Sequence, residues 1–182
     1  MIMNTRRMAP TVSAALDRAG FLPLVLFLAW ASAEPEPGPE RWTAAYRLAA
    51  VPALGVLAAA ARARAPGDRV VLGANAYLVA GGALAWVAPD ALGIFGGELR
   101  ESGLLLAILA VGAATMLFSR HGYARVDPSG PRLASAALLA VTGAAALFSF
   151  RFRGDRFLAG TLPLAALLVA SRLVARAYGR SP

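Results

Sequence analysis

The stretch that decides the fold is Val70–Val87, VVLGANAYLVAGGALAWV, which contains no Asp, Glu, Lys or Arg. An α-helix needs about 20 predominantly apolar residues to cross the hydrocarbon core of a bilayer. A helix on the surface of a soluble protein would instead place apolar residues at i, i+3 and i+4 and keep a polar opposite face. This stretch has no such polar face, so we predict a transmembrane helix here.

Five further apolar stretches of similar length accompany it. The chain of 182 residues is 58% hydrophobic, with a mean hydropathy of +0.60, which exceeds what a soluble domain with one core normally carries. Short segments that hold most of the charge and proline separate the stretches. The predicted fold class is therefore all-α: one polytopic transmembrane helical bundle over residues 1–182, with about six spans at roughly 14–33, 42–61, 70–87, 102–118, 133–150 and 157–174.

The first of these stretches has features of a secretory signal peptide. Arg6 and Arg7 precede it, and Ala31-Ser32-Ala33 is similar to a cleavage site. Asp17 and Arg18 intervene, however, and five apolar stretches follow. An uncleaved first transmembrane helix is therefore the simpler interpretation.

Charge and residue usage exclude several classes of function. The 18 basic residues are all arginine and the formal net charge is +8, but the arginines lie at helix ends and in short loops. Membrane topology and anionic lipid account for them there, so we predict no nucleic-acid partner. The chain has no Cys, and its only histidine is His121. A metal site needs several convergent ligands, so we predict no metal, no cofactor and no enzymatic activity.

The distribution of arginine predicts the orientation in the membrane. Arginine near span ends is retained on the cytoplasmic side, whereas Asp and Glu count for little. The N-terminus, the loops after spans two and four and the C-terminus are rich in arginine, while Glu34–Glu40 and Asp90–Glu101 are acidic. We predict an inner (plasma) membrane location in a prokaryote, with both termini in the cytoplasm.

The loop after span five is an exception to this rule. Six spans place Arg151, Arg153 and Arg156 on the outer side. We predict one of two arrangements: the three arginines contact phosphate headgroups at the outer interface, or spans five and six form a shallower hairpin that does not fully cross.

Polar residues inside the spans are the candidate functional residues, because buried ionisable groups are costly in a membrane. Only Arg47 lies more than one turn inside a span, and snorkelling toward the outer headgroups beside Trp42 and Tyr46 is favoured for it over an internal ion pair. The candidate intramembrane polar residues are Arg47, Asn75 and Tyr77. No acidic residue lies deep in a span, which disfavours proton-coupled transport and catalysis by carboxylates.

Small residues are predicted to mark helix–helix contacts. Glycine lets the backbones of neighbouring transmembrane helices approach closely. Gly81-Gly82, Gly112 and Gly143 lie within spans and match no ion filter or phosphate-binding loop. We therefore expect them at packed interfaces.

Several short motifs resemble those of the intracellular septation protein A family. Gly20-Phe21-Leu22-Pro23-Leu24 is similar to the Phe-Leu-Pro-Leu start of that family's first span, with Gly20 where an Asp is usual. Further similarities lie at Thr43-Ala44-Ala45, at the Arg62-x-Arg64 exit from span two, at Gly81-Gly82, in the charged approach to span four and at Arg156–Gly160, where the family has Phe-Lys-x-Phe-Gly.

This resemblance covers most of the chain. The Pro-Glu loop before span two, the lack of Lys and the missing tryptophans in the last third depart from the family. The resemblance implies a non-enzymatic role in cell-envelope maintenance and septation. The implied partners are other envelope membrane proteins or a second copy of the chain, besides the lipid bilayer and its anionic headgroups.

Two other functions stay open. About six spans in 182 residues is also the size of the substrate-binding subunits of vitamin uptake transporters. A polar solute needs convergent polar groups, and the spans offer little beyond Arg47, Asn75, Tyr77, Thr115, Thr142 and Thr161. A membrane enzyme acting on lipid would depend on the loop cluster of Arg120, His121, Arg125 and Asp127. A scaffold, by contrast, predicts no water-filled vestibule lined by Arg47, Asn75 and Tyr77.

Overall fold

The computed structural model describes residues 19–31, 33, 38–63, 68–92, 100–118, 123–124, 131–155 and 157–178. Secondary structure in these ranges is helical, which confirms the all-α class. The α-helices are α1 (Leu22–Ala31), α2 (Pro39–Ala63), α3 (Arg69–Val87), α4 (Arg100–Phe118), α5 (Pro131–Arg151) and α6 (Leu162–Tyr178). A 3-10 turn at Pro89–Ala91 follows α3, and a π-helical turn at Phe157–Thr161 leads into α6.

Four segments of the described chain are long and apolar enough to cross a membrane. They are Pro39–Arg62, Arg69–Val87, Arg132–Arg151 and Phe157–Val174. The apolar helices Leu22–Ala31 and Ser102–Phe118 are shorter. The sequence predicts about six spans, and four segments among the described residues reach the length needed to cross. Residues 14–18 and residue 32 of the first predicted span lie outside the described residues. Helices of this length and composition are those of a membrane-embedded protein.

The chain divides into two compact units, Met1–Ala88 and Pro89–Pro182. The first unit contains α1, α2 and α3, and the second contains α4, α5 and α6. In each unit consecutive helices pack against one another, and α1 also contacts α3. The single membrane domain predicted from the sequence stays a prediction.

The helices α2 and α3 of the first unit approach each other closely at a pair of glycines. A Cβ atom added to Gly81 would overlap the ring of Tyr46, and one added to Gly82 would overlap the Cβ of Ala50. Only glycine fits at either position without a shift of the neighbouring helix. The prediction that this glycine pair permits close packing is confirmed.

The glycines of the second unit differ from each other. A Cβ on Gly112 would lie 3.0 Å from ring atoms of Tyr123, so this glycine is also at a packed interface. In the described part of the chain, a Cβ on Gly143 would meet nothing within 4 Å. Contrary to the prediction, Gly143 lies at no packed interface among these residues, because its position on α5 faces open space there.

The ends of α3 are defined by local side-chain chemistry. Asp68 caps the N-terminus, since its carboxylate accepts a hydrogen bond of 2.9 Å from the main-chain N–H of Val70. Pro89 follows the last turn and lacks the N–H that would continue the helix. A hydrogen bond from Arg47 to the Ala85 carbonyl oxygen places this end of α3 beside the first part of α2, so the two helices run antiparallel.

Candidate functional site

The polar centre of the first unit is a pair of tyrosines. The hydroxyl groups of Tyr46 on α2 and Tyr77 on α3 are 2.5 Å apart, and the two residues are 1% and 4% exposed. Phe27 of α1 packs on the Tyr46 ring with 4.7 Å between ring centroids. The three helices thus meet around one aromatic cluster.

Tyr46 is buried between the helices, and its predicted place at the level of the membrane interface stays a prediction. Tyr46 belongs to the face of α2 that also carries Ala45, Ala49 and Ala53, all of them buried. These small residues bring α3 close and leave room for one large ring between the helices. Trp42, four residues before Tyr46, is only partly buried, and the centroid of its ring lies 5.8 Å from that of Phe27.

Asn75 connects α3 to the segment just before α1. Its side chain is 1% exposed, and its Nδ2 donates hydrogen bonds to the carbonyl oxygens of Gly20 at 2.9 Å and Val71 at 2.8 Å. Its Oδ1 has no hydrogen-bond partner among the described residues. Both amide hydrogens are used within the unit, so Asn75 is a structural link between helices.

Arg47 binds the C-terminal end of α3. Its Nε and Nη2 donate to the carbonyl oxygen of Ala85 at 3.1 and 2.6 Å. A cation is favourable there, because the last carbonyls of a helix carry the negative end of its dipole. The acceptor is a carbonyl and not a carboxylate, so these contacts are not the alternative internal ion pair. The side chain extends toward the end of the helix pair, which is the direction that snorkelling requires.

A groove of about 840 Å³ lies along α1 and α2. It is lined mostly by apolar side chains, with Glu40, Thr43 and Arg47 as its polar members. The lining residues are Leu26, Trp30, Glu40, Thr43, Ala44, Arg47, Leu48, Val51 and Pro52. Asn75 and Tyr77 do not line it, so this groove does not bring together the three predicted intramembrane polar residues.

Trp30 is held at the edge of this groove by Arg41. The Nε of Arg41 donates to the Trp30 carbonyl oxygen at 2.9 Å, and its guanidinium lies 5.5 Å from the centre of the indole ring. The cation–π contact and the hydrogen bond connect α1 to the first turn of α2. The connection fixes the distance between the two walls at one end of the groove.

Hydroxyl groups form the buried polar contacts of the second unit. Ser135 Oγ accepts hydrogen bonds from the main-chain N–H groups of Tyr123 at 2.9 Å and Ala124 at 3.0 Å. The Tyr123 hydroxyl is 3.1 Å from Thr142 Oγ1, and Ser102 Oγ is 3.0 Å from Ser149 Oγ. The polar character of Thr142 was predictable from the sequence, but its contact with Tyr123 was not predicted. The only available signal was the spacing of Ser135 and Thr142, which places both on one face of α5.

The turn between α5 and α6 carries two of the three arginines predicted to contact lipid phosphate. The guanidinium of Arg153 lies 3.7 Å from the ring centre of Phe150, and that of Arg151 lies 5.9 Å from the ring centre of Phe152. All four side chains are exposed. The cluster therefore presents cations next to apolar rings, a combination that suits a membrane interface.

The same turn is closed by its own backbone chemistry. Gly154 has a φ of 107°, a conformation that side chains with a Cβ rarely adopt. Asp155 Oδ1 accepts hydrogen bonds from the N–H groups of Phe157 at 2.9 Å and Leu158 at 3.0 Å, and so caps the following helix.

Several predicted residues lie outside the described part of the chain. They are Arg156, the third candidate phosphate contact, and the loop cluster of Arg120, His121, Arg125 and Asp127. In the described ranges no group of three or more His, Asp or Glu side chains is placed to hold a metal ion. Comparison of the chain with protein-family models, with curated proteins and with solved structures found no match.

Proposed function

We propose that this protein is a non-enzymatic, multi-pass protein of a bacterial inner membrane, with a scaffold role in cell-envelope maintenance and septation. The supporting observation is the use of polar side chains within the helices. Tyr46 bonds to Tyr77, Asn75 bonds to two main-chain carbonyls, and Ser102 bonds to Ser149. Side chains that bind one another hold helices together, whereas a solute site needs polar groups that converge on a cavity.

The outer faces of the helices support the same proposal. Large apolar side chains project from both units, and Leu54, Val87, Phe118, Leu147 and Leu173 are each more than half exposed. Within a membrane such faces contact lipid chains or the helices of another protein. They suit a protein that works by packing on lipid, on other envelope membrane proteins or on a second copy of itself.

Photocrosslinking in dividing cells of the native host tests this role. A photoreactive amino acid at Leu54 or Leu147, which are 58% and 74% exposed, is expected to give adducts with defined envelope membrane proteins. The same residue at Leu78 or Leu167, each 0% exposed, should crosslink within the chain. A deletion strain with normal septa, together with no protein adduct at any exposed position, would contradict the scaffold role.

A second measurement separates the scaffold from the small transport component. The purified protein is analysed by mass spectrometry for a bound small solute. A stoichiometric polar solute would favour transport, because the scaffold proposal has no use for one. Its release on substitution of Arg47, the only described charged residue well inside a span, would locate it.

We further propose that both termini lie in the cytoplasm. Single-cysteine labelling suits this chain because it contains no native Cys. An impermeant thiol reagent on intact cells should modify Cys placed at Gly38 or Gly96 and spare Cys placed at Gly67 or Ser181. The reverse pattern would show the opposite orientation, and labelling at both Gly38 and Ser181 would mean an odd number of crossings.

The arginines of the α5–α6 turn are proposed to contact lipid phosphate at the outer interface. Both flanking segments, Arg132–Arg151 and Phe157–Val174, are long enough to cross, which favours this arrangement over a shallow hairpin. Arg151 and Arg153 lie beside exposed phenylalanine rings that can enter the hydrocarbon boundary while the guanidinium groups stay among headgroups. Arg156 is included in the proposal on its position in the sequence.

A further inference from the structure

We infer that the groove along α1 and α2 is a binding site for one aminophospholipid, whose acyl chain lies along the apolar walls while its phosphate pairs with Arg47 and its ammonium with Glu40. The inference requires that the first unit lies in a membrane. It does not depend on the scaffold role.

The apolar part of the groove fits a lipid chain. Leu26, Leu48 and Val51 line it and are 38%, 41% and 63% exposed. Leu48 and Val51 lie on α2, which is long enough to cross a membrane, and Leu26 lies on the neighbouring α1. In a membrane, their exposed surface would face hydrocarbon. The volume of about 840 Å³ falls within the range of about 300–1,000 Å³ that is typical of small-molecule sites.

The polar part lies at one end of the groove. Glu40, Thr43 and Arg47 are spaced three and four residues apart and share one face of α2. Thr43 Oγ1 donates to the Pro39 carbonyl oxygen at 2.9 Å, so its hydroxyl is engaged within the helix. Among the residues that line the groove, Glu40 supplies the carboxylate and Arg47 the guanidinium of this end. The guanidinium of Arg41 lies at the edge and is engaged with the carbonyl oxygen and the ring of Trp30.

Arg47 is positioned to reach a phosphate. Side chains on a helix lean toward its N-terminus, and the bonds of Arg47 to Ala85 show that its guanidinium is held beside the last turn of α3. Two of its five N–H donors face that carbonyl, and the planar fork retains further donors for an anion. Arg47 is both anchored and exposed to the groove.

The order of the charges selects the headgroup. Glu40 is in the first turn of α2, at the rim, and Arg47 is seven residues further in. A phospholipid places its phosphate nearer to the hydrocarbon than its terminal amine. A lipid carrying a primary ammonium therefore satisfies both residues, whereas a lipid with an uncharged alcohol headgroup leaves Glu40 without a cation. A quaternary ammonium pairs less well, because it has no N–H to donate to the carboxylate.

Trp30 provides a direct probe, because it lines the groove. A full-length Trp42→Phe, Trp86→Phe variant keeps Trp30 as its only tryptophan and is reconstituted in vesicles. Phosphatidylethanolamine with brominated chains should quench Trp30 at a mole fraction about twofold to fivefold lower than brominated phosphatidylglycerol or phosphatidylcholine, the preference expected of exposed ion pairs. A Trp30→Phe, Trp42→Phe variant retains Trp86, which is 56% exposed and outside the groove, and should show no headgroup preference.

Single substitutions assign the preference to the two charges. Arg47→Gln should remove it, and Glu40→Gln should bring phosphatidylethanolamine and phosphatidylglycerol to equal quenching. Arg62→Gln, at the exposed far end of α2, should leave the headgroup preference unchanged. Because Glu40 is exposed, its variant keeps the test valid even if Arg47→Gln fails to fold.

Three results would overturn the inference. Equal quenching by all headgroups would mean that bulk lipid fills the groove. Quenching of Trp86 without quenching of Trp30 would mean that protein, and not lipid, covers the groove. Stronger quenching by phosphatidylglycerol would mean that Glu40 takes no part in recognition.

Discussion

Replacement of Gly82 by alanine tests the close contact of α2 and α3. The new Cβ would overlap the Cβ of Ala50 and would lie 3.2 Å from the carbonyl oxygen of Tyr46. Carbon atoms pack best about 3.5–4 Å apart, so the helices must separate. Because Ala45, Ala49 and Ala53 on the same face of α2 are fully buried, a separation would loosen contacts along much of the helix pair.

A second glycine on α2 separates the loss of stability caused by the helix contact from the change in helix propensity. Overpacking of this kind costs about 1–3 kcal/mol, while alanine in place of glycine gains about 0.5–1 kcal/mol of helix propensity. Gly55 lies on α2 with nothing within 4 Å of its added Cβ, so Gly55→Ala should show the gain alone. The propensity terms cancel between the two variants, and Gly82→Ala should be less stable than Gly55→Ala by about 1–3 kcal/mol.

Unfolding of the purified protein in mixed micelles, followed by far-UV circular dichroism as the fraction of sodium dodecyl sulfate rises, measures this difference. Adding Ala50→Gly to Gly82→Ala removes the overlapping methyl group and should restore part of the loss. The rescue is expected to be incomplete, because the Tyr46 carbonyl oxygen stays close. If Gly82→Ala unfolds at the same detergent fraction as Gly55→Ala, the described approach of α2 and α3 is wrong.

Two further substitutions test the hydrogen bonds of each unit. Tyr77→Phe removes the hydroxyl that bonds to Tyr46 and should lower the free energy of unfolding by about 0.5–1.5 kcal/mol in the same assay. If the double variant Tyr46→Phe, Tyr77→Phe loses as much stability as the two single variants together, the two hydroxyl groups do not share a bond. Asp155→Ala removes the cap of the helical segment that begins at Phe157 and should lower the free energy of unfolding by about 0.5–2 kcal/mol. Asp90→Ala changes another exposed aspartate of the second unit and should have little effect. Equal losses of stability in the two variants would count against the cap.

The helices were predictable from the sequence because the cost of an unpaired backbone in hydrocarbon leaves a long apolar stretch few alternatives to a helix. Val70–Val87 was predicted as a span, and the helix runs Arg69–Val87. The packing role of Gly81 and Gly82 was also predicted correctly, since a glycine pair in a transmembrane helix commonly lets a neighbouring helix approach closely. Gly143 had the same local signal but faces open space, because the face of a helix that meets its neighbour depends on packing over the whole bundle.

The candidate site was less predictable because it depends on side-chain direction. Tyr46 and Trp42 lie one turn apart near the start of α2, and both suit an interfacial belt. Only the packed structure shows that Tyr46 lies against Gly81 while Trp42 remains at the edge. For Arg47, the sequence suggests lipid headgroups or an acidic partner, whereas in the structure its guanidinium binds a main-chain carbonyl near the end of α3.

The polar contacts of the first unit are distributed along α3 and not collected in one place. Asn75 binds the segment before α1, Tyr77 binds α2, and Ala85 accepts the bonds of Arg47. From Asn75 to Ala85 the helix rises about 15 Å, which is about half the thickness of the hydrocarbon core. Apolar side chains give little preference for one helix register over another within lipid, because the lipid chains are equally apolar. A polar contact at each of three levels supplies that preference, since a shift of α3 by one turn would break all three.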